Sequence, residues 1–268
     1  MTTTNDHTDN AVTAESWRHL DELLFQEAWR HRLRRIRSPF AYRGHSRCRP
    51  DLTTGLIRVG GDLVAKERHL VRNFRKYARR GFVGDDSLWN WLALAQHHGL
   101  PTRLLDWSYS PYVALHFVTH RADRMDRDGE VLMANLIRVQ QELPLPLKEL
   151  LDTEGSDVFT GEMLSRAVNS LDDLAEFASE PFAVFLEPPS LDDRIINQAA
   201  LFSFMSTTDS EFGEWLSKRP DAWRRILIPA ELKWEIRDRL DQINLTERVL
   251  FPGLDGLSAW LGRYYRER

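Results

Sequence analysis

The sequence predicts one α+β domain with a helical N-terminal part and a small mixed or antiparallel sheet. Apolar residues at helical spacing dominate the first 120 residues, whereas short apolar runs typical of strands alternate with helices after residue 129. No repeat, low-complexity segment or long linker interrupts the 268 residues. A single domain over residues 14–268 is therefore the economical interpretation.

The N-terminal elements are predicted from spacing, capping residues and breakers. Residues 1–13, rich in Thr, Asn and Asp, are predicted to form a disordered tail, and residues 14–36 a helix that ends at Ser38 and Pro39. The elements expected next are a short strand (40–44), a helix (62–80), a loop (81–84), a helix capped by Asp86 or Ser87 that ends near Gly99, and a buried helix from Ser110 and Pro111 to His120.

The C-terminal elements follow the same logic. An acidic stretch, residues 143–180, is predicted to be helical and to be an insertion. The remaining elements are strands at 130–137, 182–186, 199–205 and 225–228, a helix at 230–243, and a last helix that holds Leu257, Trp260 and Leu261.

Charge is distributed unevenly along the chain. Residues 30–80 hold sixteen Lys or Arg against three acids, a local balance of +13 in a chain of net charge −4. Such asymmetry indicates an anionic ligand or partner, and nucleic acid is the first candidate. The alternative is a solvated basic face that pairs with the acidic remainder of the chain.

Several classes of protein are disfavoured by composition. No apolar run of about 18 residues predicts a membrane span, and the polar N-terminus does not read as a signal peptide. The single cysteine, Cys48, excludes an internal disulfide and suits a reducing cytoplasm. His116 and His120 have the spacing of two metal ligands, but no convincing third ligand accompanies them, so no metal is predicted.

The densest polar motif lies between two predicted apolar helices, at residues 96–107. It places amide, imidazole, hydroxyl, guanidinium and carboxylate groups around a Gly-x-Pro turn. Each residue alone is more easily explained by a structural role, such as a cap or an ion pair. Together they need partners at one junction, and a ligand is one such partner. The polar residues are Gln96, His97, His98, Thr102, Arg103 and Asp106.

Two further motifs are candidates for ligand binding. Tyr42, Arg43, Gly44 and His45 end a predicted strand, where Arg can offer a bidentate fork to phosphate and Gly lets a ligand approach the backbone. The alternative is a turn with a surface arginine. A third polar motif, from Arg194 to Gln198, precedes a buried strand, and Glu187 ends the strand before it.

In order and spacing, these motifs resemble the FRG-domain family, named for an aromatic-Arg-Gly motif in which Tyr42 here replaces Phe. The resemblance covers about residues 17–265. The first two motifs that carry it are residues 42–44 and Gln-His-x-Gly-Leu-Pro-Thr-Arg-Leu-Leu-Asp-Trp at 96–107. The others are Ser110 and Pro111 with the following Ala114, Leu115 and Phe117; Arg194, Ile195, Gln198 and Phe202; and Leu250, Phe251, Pro252, Leu254, Asp255 and Gly256.

The motif order is also similar to that of ADP-ribosyltransferases, which implies a sheet of that kind and NAD as substrate. By this resemblance Arg43 binds the phosphates or ribose of NAD, and Gln198 stands where a catalytic carboxylate is expected, so Glu187 or Asp106 would supply the acid. The implied catalytic residues are Arg43, Asp106, Glu187 and Gln198. The implied NAD-binding residues are Tyr42, Arg43, Gly44, His45, Gln96, His97, Thr102, Arg103, Trp107 and Arg194.

The resulting hypothesis is an NAD-dependent ADP-ribosyltransferase that modifies nucleic acid, with DNA favoured and with phosphates held by residues 30–80. The family resemblance implies a role in phage defence or toxicity. Two alternatives remain: a non-enzymatic nucleic-acid-binding or sensor module, and a toxin that hydrolyses NAD.

Overall fold

An eight-stranded mixed sheet lies at the centre of the fold. The structure, a computed structural model, describes residues 10–48, 52–78, 86–190 and 193–267. The strands are β1 (Ala11–Thr13), β2 (Trp29–Arg30), β3 (Arg35–Ile36), β4 (Phe40–His45), β5 (Leu105–Ser108), β6 (Gly129–Asn135), β7 (Phe159–Thr160), β8 (Ala183–Glu187), β9 (Ala200–Met205) and β10 (Trp223–Ile228).

Helices cover both faces of this sheet. They are α1 (Trp17–Leu24), α2 (Gly55–Val59), α3 (Leu63–Tyr77), α4 (Leu88–His97), α5 (Pro111–Thr119), α6 (Leu136–Gln141), α7 (Leu145–Glu154), α8 (Gly161–Ala167), α9 (Asp193–Asn197), α10 (Phe212–Ser217), α11 (Ala230–Gln242), α12 (Glu247–Leu250) and α13 (Leu254–Tyr264). In the described part of the chain, no helix is long and apolar enough to cross a membrane.

The strand order is β1-β10-β6-β4-β5-β9-β8-β7. The inner neighbours pair antiparallel, whereas the two edge strands, β1 and β7, pair parallel with β10 and β8. The protein is therefore mixed α and β, and its sheet is mixed as predicted but larger than the small sheet expected. β2 and β3 form a separate two-stranded hairpin.

Apolar side chains pack in three clusters around the sheet. α1, α5 and α11 cover one face, where Leu20, Leu115 and Ile236 pack against β4, β6 and β10. α10 covers part of the other face through Phe212 and Trp215. The third cluster joins α4 to α7 and α8, so the predicted insertion at 143–180 shares a core with the rest of the fold and adds β7 to the sheet.

Ser87, one of the two caps offered for α4, and Ser110 begin their helices as predicted, and Asp62 caps α3 in the same way. Asp62, Ser87 and Ser110 each accept a hydrogen bond from the backbone N–H three residues on, at the starts of α3, α4 and α5. The strands at 40–44, 130–137, 182–186, 199–205 and 225–228 are also present, with ends shifted by at most two residues. The predicted loop at 81–84 lies outside the described residues.

Two predictions at the N-terminus are wrong. The helix expected over 14–36 ends at Leu24, and Glu27 adopts a left-handed φ of 63° before the hairpin begins. The apolar spacing predicted too long a helix because Trp29 and Leu33, which complete the helical pattern, are exposed to solvent and not packed in the core. The tail predicted over 1–13 also extends too far, because Ala11–Thr13 forms β1 against β10; residues 1–9 lie outside the described residues.

Candidate functional site

The central sheet opens between β4 and β5. The register of these two strands contains one pair, Tyr42 with Ser108, although both strands continue beyond it. Against β4, α5 packs so closely that a Cβ on Gly44 would lie 1.8 Å from the carbonyl oxygen of Ala114. Gly44 is therefore required for the helix to approach the strand at the edge of this opening.

A cleft of about 630 Å³ lies at this opening. Its volume is within the range of small-molecule and cofactor sites. It gathers residues from all three motifs singled out in the sequence, together with one face of α5. The lining residues are Tyr42, Arg43, Gly44, Gln96, His97, His98, Gly99, Asp106, Trp107, Ser108, Val113, Ala114, Phe117, Arg194, Ile195, Gln198, Ala200 and Phe202.

Arg43 bridges the opening between the strands. Its Nη1 donates a hydrogen bond to the backbone oxygen of Asp106 and lies 3.8 Å from Oδ2 of the same residue. Its Nε donates to Nε2 of His45 at 3.0 Å. These contacts, two to neutral acceptors and one to the Asp106 carboxylate, orient the guanidinium at the edge of the cleft.

A buried carboxylate fixes His45 behind Arg43. Nδ1 of His45 lies 3.0 Å from Oε1 of Glu130, which is fully buried and 3.7 Å from the guanidinium of Arg225. An imidazole that accepts from Arg43 at Nε2 carries its proton on Nδ1, where it donates to Glu130. His45 thus positions Arg43 from behind and does not line the cleft.

A second chain of hydrogen bonds orients Asp106. Oγ1 of Thr102 accepts from the backbone N–H of Leu104 and donates to Oε1 of Gln96 at 2.6 Å. The Gln96 amide nitrogen then donates to Oδ2 of Asp106 at 3.0 Å. The Asp106 side chain remains 63% exposed. The cleft therefore holds a carboxylate whose direction is set but which stays open to a ligand or water.

The third motif forms the wall opposite β4. Nε2 of Gln198 donates to the backbone oxygen of Leu250 at 2.9 Å, which ties α9 to the end of α12. The Arg194 guanidinium lies over the ring of Phe251, 4.8 Å from its centroid. Its Nε is buried and has no hydrogen-bond partner among the described residues. Arg194 is thus the second guanidinium at the cleft.

Nine of the thirteen residues predicted for the site line this cleft, and four do not. His45 and Thr102 contact residues of the lining, Arg43 and Gln96, without lining the cleft themselves. Arg103 is buried and donates from Nε and Nη2 to both oxygens of Glu67, at 2.5–2.9 Å. Glu187 is exposed at the end of β8, where the Tyr109 hydroxyl approaches its carboxylate at 3.5 Å. Burial, reinforced by that carboxylate, raises the pKa of Tyr109.

Two aromatic residues of the motifs reach the cleft but have their rings engaged elsewhere. The Tyr42 hydroxyl donates to the backbone oxygen of Leu24, and the Trp107 indole donates to Oγ of Ser203. Both side chains are buried in core clusters. The half-buried Phe117 belongs to a motif recognised in the sequence but was not assigned to the site, and the buried Glu130 was not identified at all. The signal for Phe117 was available: it belongs to the apolar helix that directly follows the central motif.

The fold is mixed α and β, and its cleft is lined by two arginines, Arg43 and Arg194. Residues 38–127 match the family model of the FRG domain, so the chain carries an FRG domain over this region. The match includes Arg43 and Asp106, whereas Arg194 and Gln198 follow it in the chain. Comparison with curated proteins found no match, and comparison with solved structures found none either.

Proposed function

We propose that this protein is an NAD-dependent ADP-ribosyltransferase that modifies nucleic acid. The observation that carries the proposal is the meeting of Arg43 and Asp106 in the opening between β4 and β5, with Arg194 on the opposite wall. A dinucleotide with a diphosphate and a reactive ribose needs both kinds of group in one cleft: cations for the phosphates and a carboxylate near the ribose.

The two arginines are the proposed diphosphate ligands. Arginine binds phosphate oxygens through paired, charge-assisted hydrogen bonds. Arg43 is oriented by backbone and imidazole acceptors and lines the cleft, which places its guanidinium where a phosphate would bind. Arg194 brings a buried Nε with no hydrogen-bond partner among the described residues, which a phosphate oxygen would satisfy.

Asp106 is the proposed catalytic carboxylate. When the bond between nicotinamide and C1′ of the ribose breaks, the electron pair leaves with nicotinamide and positive charge develops on the ribose. A carboxylate beside C1′ stabilises that charge until a nucleophile on the acceptor bonds to C1′ and loses its proton. Asp106 lines the cleft and is oriented by Gln96, whereas Glu187 contacts Tyr109 and does not line it.

Phe117 is the proposed stacking surface for the nicotinamide ring. The rings of Tyr42 and Trp107, the aromatic residues of the motifs, are buried in the core. Phe117 is half-buried and belongs to the cleft lining on α5. An aromatic face at this position would favour binding of the flat ring over water.

Incubation with NAD tests the proposal. Nicotinamide release is measured in the presence of single-stranded DNA, single-stranded RNA or buffer alone, and radiolabel transfer to the nucleic acid is followed in parallel. Asp106→Asn should reduce release at least 100-fold, whereas the matched variant Glu187→Gln should change it less than threefold. The proposal is rejected if the wild-type protein releases no nicotinamide with any acceptor.

The exposure of Asp106 favours a second candidate, hydrolysis of NAD. A carboxylate that is 63% exposed leaves room for water beside C1′, so water could be the acceptor. Free ADP-ribose without labelled nucleic acid would establish this reaction. Binding of nucleic acid without NAD turnover would instead indicate a non-enzymatic module.

A further inference from the structure

The hairpin of β2 and β3, residues 29–37, concentrates positive charge on an exposed surface; it is called the arginine hairpin below. Residues 31–37 are all exposed. None of the five arginines pairs with a carboxylate among the described residues; their side-chain hydrogen bonds go to backbone oxygens, from Arg30 to Arg37 and from Arg37 to Ile36. The five are Arg30, Arg32, Arg34, Arg35 and Arg37.

The other long basic segment, α3, behaves differently. Arg68 pairs with Asp172, Arg75 pairs with Asp86, and Lys66 donates to the backbone oxygen of Gly60. Two of the basic side chains on α3 are thus compensated by carboxylates from other parts of the chain. Of these two basic segments, the arginine hairpin is therefore the one whose charge no carboxylate among the described residues compensates.

The arginine hairpin holds this charge at a cost to its own stability. Arg30 and Arg35 occupy directly opposite positions of the two strands, an arrangement in which like charges repel. Arg34 adopts a left-handed φ of 51°, which is unfavourable for a residue other than glycine. An anionic ligand would relieve the repulsion.

Apolar side chains lie among these arginines. Trp29, which pairs with Ile36, is 50% exposed, and Leu33 at the tip is 53% exposed. Side chains alternate between faces along a strand, so Trp29 lies on the face opposite to the paired Arg30 and Arg35. An exposed indole on a small arginine-rich hairpin suits a strand of nucleic acid whose bases are unpaired, because the ring can stack on a base while arginines elsewhere on the hairpin contact phosphates. A duplex would present phosphates but no free base face to Trp29.

We propose that the arginine hairpin binds single-stranded nucleic acid and delivers it to the cleft as the acceptor. As an acceptor site it rests on the proposed function, but its binding can be measured without NAD. β4 leads directly from the hairpin to the cleft, and five residues lie between Arg37 and Arg43, a span of at most about 22 Å. A strand whose bases stay stacked, at ~3.4 Å per nucleotide, needs roughly six or more nucleotides to reach both sites.

Fluorescence anisotropy with a labelled 20-nucleotide single-stranded DNA, without NAD, measures the binding. The test variant is Arg32→Gln/Arg34→Gln/Arg35→Gln. The matched control, Arg68→Gln/Arg72→Gln/Arg75→Gln on α3, removes the same charge elsewhere. We expect the test variant to bind at least tenfold more weakly. The slope of log K against log salt concentration should become shallower by about two, because about two fewer counterions are released on binding. The control should change the affinity less than threefold.

Trp29→Ala separates stacking from charge, since it leaves every arginine in place. Loss of one stacked base is expected to weaken binding by about 5- to 100-fold. Equal weakening by both triple variants would overturn the proposal, as would tighter binding to a duplex of the same sequence. Hairpin-dependent binding to phosphatidylserine vesicles without binding to DNA would also overturn it, in favour of a membrane surface.

Failure of the arginine-hairpin proposal and failure of the transferase proposal give different experimental results. If the hairpin variant binds and labels DNA like the wild type, the arginine hairpin is not the acceptor site, although the transferase activity stands. If hairpin-dependent DNA binding occurs without nicotinamide release, the hairpin proposal stands for binding and the transferase proposal fails. Labelling of a four-nucleotide oligomer should be insensitive to the hairpin variant, whereas labelling of the 20-nucleotide DNA should depend on it.

Discussion

Arg43 and Arg103 belong to neighbouring motifs but have opposite surroundings. Arg103 is buried and shares three hydrogen bonds with the carboxylate of Glu67, so its charge is neutralised inside the protein. Arg43 donates to a backbone oxygen and an imidazole nitrogen, and it lies 3.8 Å from a carboxylate oxygen of the exposed Asp106. A guanidinium in a bidentate buried pair stabilises the fold, whereas one oriented at the edge of a cleft is placed to meet a ligand, and the comparison of the two arginines tests this difference.

The largest expected effect is on the buried pair. Glu67→Gln would leave the Arg103 guanidinium buried without a counter-charge, and its Nη1 already has no hydrogen-bond partner among the described residues. Removal of one partner from a buried pair typically costs about 3–5 kcal/mol. We therefore expect the free energy of unfolding in urea to fall by about that amount.

The double variant Glu67→Met/Arg103→Met is the control for this effect. Because it removes both charges and keeps apolar volume, it should be much more stable than Glu67→Gln. If Glu67→Gln lowered the free energy of unfolding by less than 1 kcal/mol, Arg103 would not have the structural role assigned to it here.

Arg43 should show the reverse pattern. Arg43→Gln removes an ion pair at 3.8 Å with the exposed carboxylate of Asp106, so the free energy of unfolding should stay within about 1 kcal/mol of the wild type. Binding of ADP-ribose, measured by calorimetry, should weaken about 30- to 100-fold, since a charge-assisted contact to phosphate is lost (about 2–3 kcal/mol).

Arg121→Gln, a change at an exposed arginine paired with Asp123, is the matched control and should leave affinity unchanged. Unaltered binding in Arg43→Gln would remove Arg43 from the ligand site. A large loss of stability would instead place it with Arg103 as a structural residue.

The third prediction concerns pH and a buried histidine outside the cleft. Nδ1 of His116 accepts from Arg237 at 2.9 Å, and burial together with that guanidinium lowers the pKa of His116 to about 3. Its unfolded value is near 6.5, so the unfolded state binds more protons between these values. Stability from this residue should fall as pH drops below about 6.5, by up to ~1.4 kcal/mol per pH unit.

His116→Asn tests this assignment. The asparagine Oδ1 can accept from Arg237 in place of Nδ1 but does not titrate. Urea unfolding at pH 7 and at pH 5 should show a smaller loss of stability for His116→Asn than for the wild type, by about 1–2 kcal/mol. Equal losses in the two proteins would mean that His116 is not the group responsible.

The sequence predicted much of the fold because local signals decided it. Ser87 and Ser110 cap helices through their own side chains, and the apolar runs that became β8 and β9 are buried as strands. The helix expected over 14–36 failed because the exposure of Trp29 is a tertiary property that periodicity does not report. The environments of Arg43 and Arg103 could not be separated for the same reason, since Glu67 and His45 become their partners only through folding.

The smallest expected effect lies beside Arg103, at Thr102. Its hydroxyl orients Gln96, which orients Asp106, so Thr102→Val should loosen the proposed catalytic carboxylate while preserving shape. Loss of one such hydrogen bond costs about 1 kcal/mol, which corresponds to a roughly fivefold lower kcat for nicotinamide release. KM should change little, because Arg43 and Arg194 still hold the phosphates. Thr102→Ser restores the hydroxyl and should restore kcat; if it does not, packing of the methyl group, and not orientation of Gln96, explains the effect of Thr102→Val.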